Sequence, residues 1–593
     1  MTVQDTQWDV PQVLDTITPG TPVYNEKSRL AKTIQKDGRT WGNGAVAANL
    51  LAHDDTRMTC YSCHSSWTTN CFGCHLAASV NTKKPMLHNE GDETQVYASY
   101  NPQVLRTDAY MLGVDGTIEG HKVTTVRSSS SVTFSVRDGT RGWAVSQVPT
   151  ISSAGYNGNA FNTFVPHTVR AKETKQCTDC HVSAAGDNNA WMASILMLGT
   201  NQVNFMGRYI YTALDNGGVA AIAVTERDEP EAVYGSHLHA IAYPSNYAAH
   251  QKRGGALTDV VTHGGKATQV QMYGEYLLAA SGSDGFQVFD IANVGNKDFA
   301  QRIVTAPFSN QGLHVTTKQA TGIAVGSPAP LDPKREQLPI NEETPVAPLF
   351  GYAFISDFQE GLVTVDITTL TDQSPTNNHL RRGATFNPNG ALSGATAITV
   401  AGNYAYVSTQ TGLAIVDISN PLQPSLVTKI AAPLKSPRHV AVQFRYAFVT
   451  DVEGLKVIDV TTPTKPVVVA GAAVPLKDAN GIYLSRTYAY IGGGSDGLVI
   501  VDIERPEHPT LDQAFTAGGA ITDARDVKVG MLATSLFAYV ADGKQGFKVV
   551  QLITPDTVPG SAGYSPRPAP KLIAHYDTGS PVVGISEGYR RDR

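Results

Sequence analysis

The 593-residue chain is poor in cysteine, tryptophan and methionine, with 6, 5 and 9 of them, and only 17% of its residues are charged. No run of about 18 apolar residues occurs, so no segment is expected to span a bilayer as a helix. The formal net charge of -6 and the lack of basic runs argue against nucleic acid and against an anionic membrane surface as partners. No cysteine is left over to serve as a nucleophile. Its start, Met1-Thr2-Val3-Gln4-Asp5, lacks the basic and apolar regions of a signal peptide.

What cysteine there is has one use. All six fall in three Cys-x-x-Cys-His motifs: Cys60-Tyr61-Ser62-Cys63-His64, Cys71-Phe72-Gly73-Cys74-His75 and Cys177-Thr178-Asp179-Cys180-His181. That spacing is the attachment signature of c-type haem. Two thiols close thioethers to the vinyl groups, and the adjacent histidine ligates the iron. A zinc or redox pair in a cytoplasmic protein would not need a histidine after every pair. Three covalent haems c are therefore expected, with His64, His75 and His181 as proximal ligands. Covalent haem attachment takes place outside the cytoplasm, so the chain is expected to be exported, its numbering beginning at a mature or trimmed terminus.

Sixth ligands are sought among nearby histidines. His53 stands seven residues before Cys60, His88 thirteen after His75, and His167 ten before Cys177. These three are the expected distal ligands, and His121 is the spare. Met58 and Met86 could serve as axial thioethers, but methionine is more often a packing residue. Bis-histidine iron moves electrons and binds no substrate, so this layout favours an electron carrier over an enzyme. Six residues separate His64 from Cys71, which places two haems nearly in contact. The third must return to the pair through folding.

From about residue 193 the sequence becomes a repeat, and a repeat has to be recognised before its strands are read. Its marker is a glycine followed by an apolar run ending in aspartate: Gly285-Phe-Gln-Val-Phe-Asp290, Gly361-Leu-Val-Thr-Val-Asp366, Gly412-Leu-Ala-Ile-Val-Asp417, Gly454-Leu-Lys-Val-Ile-Asp459 and Gly497-Leu-Val-Ile-Val-Asp502. Degenerate copies stand at Gly218 and Gly546. An aromatic strand such as Tyr404-Ala405-Tyr406 or Tyr488-Ala489-Tyr490 precedes each glycine, so every unit contains at least one hairpin. Successive markers at Gly412, Gly454 and Gly497 are about 42 residues apart, the length of a four-stranded propeller blade. Seven copies close into a ring that hides the sheet edges.

These repeats resemble the LVIVD family, which forms β-propellers in many secreted or surface-displayed bacterial and archaeal proteins. Gly412-Leu-Ala-Ile-Val-Asp-Ile-Ser-Asn-Pro421 and Gly497-Leu-Val-Ile-Val-Asp-Ile-Glu-Arg-Pro506 carry the resemblance best. The expected architecture is mostly β: a loop-rich triheme cytochrome c module over 1–192 with a β-rich insertion at 89–166, a seven-bladed propeller over 193–577, and a tail over 578–593. Insertions belong in the longer spacings, notably the proline-rich stretch 327–348.

Other features invite a site but have plainer explanations. Gly492-Gly493-Gly494-Ser495-Asp496-Gly497 resembles a phosphate loop, yet it joins two strands and no helix N-terminus follows. His237-Leu238-His239 would put two imidazoles on one strand face, with His250 and His263 nearby, and imidazole suits copper or zinc. Propeller enzymes that reduce nitrous oxide gather histidines at the axis, but His314, His379, His439, His508 and His575 are too scattered for that pattern. Asp284, Glu360 and Asp496 read as hairpin residues rather than calcium ligands.

The functional expectation is an exported, extracellular or cell-surface electron carrier, with the periplasm as the alternative location and the propeller as docking or packing surface. Its partners would be redox proteins or further copies of itself. A polymeric filament of such subunits, or an oxidoreductase with a catalytic haem or a propeller metal, are the competing expectations.

Overall fold

The computed structural model describes residues 207–228, 232–273, 276–291, 294–301, 313–326, 351–370, 378–443, 446–485, 487–532, 535–554, 557 and 567–588. Before these it describes 18–24, 35, 47, 50–54, 56–59, 120, 122 and the strand segments named below. The chain divides into two compact units. The first takes in 1–66, 111–127 and 161–177. It contains an antiparallel sheet in which Met111–Val114 pairs with Val123–Arg127 and that strand with Phe161–Asn162.

The second unit holds the propeller. Six four-stranded antiparallel sheets and a seventh set of four antiparallel strands, which belongs to a larger sheet, form the blades, and their innermost strands neighbour each other in a closed cycle. Blade 4 shows the pattern: Ala395–Ala401, Tyr404–Thr409, Gly412–Asp417 and Ser425–Ile430, from axis to rim. The marker run is the third strand, and the aromatic run before it the second.

Packing explains why that third strand reads as unbroken apolar sequence. Leu413, Ala414, Ile415 and Val416 are all fully buried. Ala414 and Val416 pack with Phe354 and Leu362 of blade 3. Leu413 and Ile415 pack with Ala447, Val449 and Ile458 of blade 5. Both faces of each blade are covered by neighbours, so the alternation of a half-exposed strand disappears. Each such leucine, isoleucine or valine contributes about 1.5–3 kcal/mol by leaving water.

The marker's two polar-backbone positions have separate causes. Gly412 has φ 150°, and a Cβ built on it would lie 2.1 Å from the carbonyl oxygen of Ile430 on the outer strand. The terminal aspartate accepts from the residue two positions on. Asp417 Oδ1 takes the Ser419 N–H at 2.8 Å and its hydroxyl at 2.5 Å, and Asp459 Oδ1 takes the Thr461 N–H at 2.8 Å and its hydroxyl at 2.6 Å. This side-chain turn ends the strand and directs the chain to the rim. Tyrosines at the start of the second strand tie blades together: Asn378 Nδ2 donates to the Tyr276 hydroxyl at 2.8 Å, and the Tyr446 hydroxyl donates to Glu507.

The ring closes with a strand that carries no repeat marker. Val582–Ile585, in the stretch set apart by sequence as a tail, is the innermost strand of blade 1 and pairs with Tyr209–Leu214. Blade 1 thus joins the two ends of the repeat region. At blade 7 the inner strand Asp526–Leu532 receives a further neighbour, Gln202–Phe205, in parallel, with Asn204 opposite Gly530. That segment pairs with Leu105–Arg106, which pairs with Asn70–Cys71. Within 89–166 the strands Glu93–Ala98, Phe134–Arg137 and Trp143–Gln147 are also present, the last two as a hairpin whose intervening residues include Asp138-Gly139.

Candidate functional site

Of the nine motif residues, the structure describes only the backbone of Cys71, in the strand Asn70–Cys71 with Cys71 opposite Leu105. Cys60, Cys63, His64, Cys74, His75, Cys177, Cys180 and His181 lie outside the described residues, as do His88, His121, His167 and Met86. His53 is described and exposed, and Met58 is half-buried.

The histidines of the propeller are better placed. His237 and His239 do not share a strand face, as the sequence suggested, but stand on a short helix, α1 (His237–Ala242), followed by α2 (Pro244–Lys252). Ser236 caps α1 by accepting the His239 N–H at 3.2 Å. A spacing of two puts neighbouring imidazoles on opposite sides of a helix. His239 is fully buried. Its Nδ1 accepts the Gly235 N–H at 3.0 Å, and its Nε2 reaches Glu226 Oε1 at 2.8 Å, which fixes the Nε2–H tautomer. His263 packs against Phe289, with ring centroids 4.9 Å apart. Among the described residues no group of three or more His, Cys, Asp or Glu is placed to hold a metal ion.

The axis carries charge that the sequence reading missed. On the inner strand of blade 7, Lys528 Nζ lies 2.8 Å from Asp526 Oδ1, both side chains being buried. Asp526 Oδ2 accepts the Ile585 N–H at 2.9 Å, so this carboxylate also holds the closing strand. His439, on the inner strand of blade 5, is pushed down to about 4 by burial and by the cations Lys528 and Arg438, against the opposing pull of Asp526. The only sequence signal was the alternation Asp526, Lys528 on an otherwise apolar run. Arg438 in turn pairs with Asp478.

The loops supply hairpin chemistry. Gly493 N–H donates to Gly497 O at 2.8 Å between the strands Tyr488–Gly492 and Leu498–Asp502, so the glycine-rich run is a turn. Glu360 Oε1 accepts from Arg382 at 2.8 Å. Asp496 lies 3.8 Å from Lys477. Three further aspartates end second strands. Asp357 Oδ1 accepts the N–H groups of Gln359 and Glu360 at 2.9 and 2.8 Å, and Asp451 takes Lys456 Nζ at 2.6 Å. Asp542 Oδ1 holds the N–H groups of Thr522 and Asp523.

The family comparison agrees with this architecture. The stretches 264–303, 350–376, 394–431, 436–471 and 477–516 match the LVIVD repeat. They fall on blades 2 to 6. The copies at Gly218 and Gly546, which lack the aspartate, are not among them. The chain carries LVIVD repeats in a seven-bladed β-propeller. No curated protein matches it. Similar solved structures include a protein from Lactobacillus plantarum, 12% identical over 64% of this chain and 98% of that one, with a TM-score of 0.41. The β-propeller domain of Myceliophteria thermophila Cps50 (Swd1) is 10% identical over 56% and 92%, with a TM-score of 0.35. The computationally designed Ika8 protein is 12% identical over 65% and 92%, with a TM-score of 0.34.

Proposed function

We propose that the protein is an exported electron carrier that holds three covalent haems c in its N-terminal region and presents them on a β-propeller. The observation that carries this reading is the use of all six cysteines in three Cys-x-x-Cys-His motifs. The donor chemistry fits haem c: each motif offers two thiols at vinyl spacing and an imidazole beside them. Cys60 and Cys63, Cys71 and Cys74, and Cys177 and Cys180 would hold the macrocycles, and His64, His75 and His181 the irons. His53, His88 and His167 would complete the coordination, with His121 in reserve. The bound groups supply one-electron redox chemistry, while the chain supplies ligands, burial and spacing.

The propeller's role as a carrying surface is supported by sheet continuity. The strand Asn70–Cys71 reaches the inner strand of blade 7 through two intermediate segments. Among the described residues, no helix is long and apolar enough to cross a membrane.

Optical and paramagnetic resonance spectra of the purified holoprotein test the reading. Low-spin bis-histidine signals alone are expected. A high-spin signal would move the protein to catalysis, and strictly concentration-dependent polymers under the electron microscope would make it a filament subunit.

A further inference from the structure

Between its third strand, Gly218–Ala223, and its outer strand, Val260–His263, blade 1 carries an insertion that contains α1 and α2. The insertion ends on the neighbouring blade. His575 N–H donates to Gly255 O at 2.9 Å and Leu257 N–H to His575 O at 2.8 Å, on the outer strand Lys571–Tyr576 of blade 7. The propeller is therefore fastened twice, by Val582–Ile585 at the axis and by this clamp at the rim.

One side chain of the clamp is out of balance. His250, near the end of α2, is only 1% exposed, and its Nε2 lies 2.9 Å from Ile573 O. A carbonyl oxygen can only accept, so Nε2 bears the hydrogen and Nδ1 is a bare acceptor. That Nδ1 is buried and has no hydrogen-bond partner among the described residues. Gly235 is fitted against the same contact: a Cβ there would lie 2.4 Å from Ile573 O and 3.0 Å from His250 Nε2. Neighbouring His239 differs, because both its nitrogens are engaged.

The charged and titratable groups around His250 offer a second proton no support. From α1 comes His239, with imidazole centroids 6.0 Å apart, and from the preceding loop Tyr234, stacked at 6.0 Å. Arg253 follows α2 and His575 stands on the outer strand of blade 7, and both act against a positive charge on His250. Glu226 is bonded to His239 and to Asn246. Tyr247 packs on His239.

We propose that the insertion is a proton-released clamp: protonation of His250 at Nδ1 undocks α1 and α2 from blade 7 and bares the outer edge of Lys571–Tyr576. The added proton makes a buried cation with a donor that has no acceptor, beside a guanidinium, which the docked state tolerates poorly. Undocked, the imidazole is hydrated and titrates normally. The open state thus binds the proton more readily, and the clamp loosens as pH falls below the ordinary imidazole range. One proton taken up shifts the opening equilibrium by at most about tenfold per pH unit. The bared strand would offer unpaired backbone groups to another chain.

Hydrogen exchange of the full-length holoprotein, read by mass spectrometry at about pH 7.5 and about pH 5 and corrected for intrinsic rates, tests this. Peptides covering 245–257 and 571–576 are expected to lose protection about tenfold or more at the lower pH, while those of blades 3 and 4 hold. His250→Gln keeps an N–H for Ile573 O and cannot titrate, so its protection should stay level. Flat protection in the native chain, or an equal loss in the variant, overturns the proposal. If the variant is already open at about pH 7.5, selective 15N-histidine spectra decide. The His250 imidazole must take up its proton as protection is lost, and a neutral imidazole in an open clamp, or a charged one in a closed clamp, contradicts the proposal.

Discussion

Single residues explain why the repeat signature has the form it does. The marker glycine is fixed by a carbonyl, since Ile430 O occupies the place of a Cβ on Gly412. Gly412→Ala should therefore lower stability by about 2 kcal/mol or more, combining backbone strain with the displaced strand. The shift in denaturation midpoint measures it, and a change within about 0.5 kcal/mol would show that the outer strand yields freely. His439 gives a pH dependence of definite sign. Its folded value of about 4 lies below that of a free imidazole, so the unfolded chain binds the proton first. Stability is complete above the ordinary imidazole value and falls as pH drops from there toward about 4. His439→Gln should flatten part of that slope in denaturation curves taken across the window. An unchanged slope would assign it to other groups.

At the scale of elements, the blades were legible and their fastenings were not. The third strand announced itself because both of its faces are buried, which leaves Leu413 to Val416 without a polar interruption. The aspartate that closes it, such as Asp459, was legible as punctuation, and the structure supplies the reason in its bond to Thr461. Val582–Ile585 resembles a tail in sequence, because this inner strand has only four residues and carries neither marker. His237–His239 suits a strand as well as a helix by its spacing of two, and only the Ser236 cap marks a helix start there. The Asp526–Lys528 pair shows what such fastenings are worth. Lys528→Met leaves the Asp526 carboxylate buried without its cation and should cost about 3–5 kcal/mol. Replacing both, Asp526→Leu with Lys528→Met, should cost less than the sum of the single changes, as a double-mutant cycle on thermal unfolding would read. Strict additivity would mean that the two groups do not act together.

For the whole molecule, the chain joins a region read through its cofactor chemistry to one read through its repeats. The propeller half follows from pattern, because a ring of like blades repeats its constraints about every 42 residues. The N-terminal region rests on a different kind of legibility: six cysteines and their histidines carry the proposal of three haems c, but their spacing does not encode how the irons would be arranged. Distal ligation depends on contacts between distant residues, which spacing alone does not encode. Removing one motif, by Cys177→Ser with Cys180→Ser, should take away one haem and leave the propeller's unfolding transition in place. Loss of the transition would make that haem part of the propeller's stability.

The central claim is the number of covalent haems, and the intact mass of the purified protein tests it most directly. The account predicts a mass increased by three haems with no free thiol open to alkylation, and three irons per chain by metal analysis. A chain with fewer haems, or with cysteines that still alkylate under native-redox conditions, would contradict it.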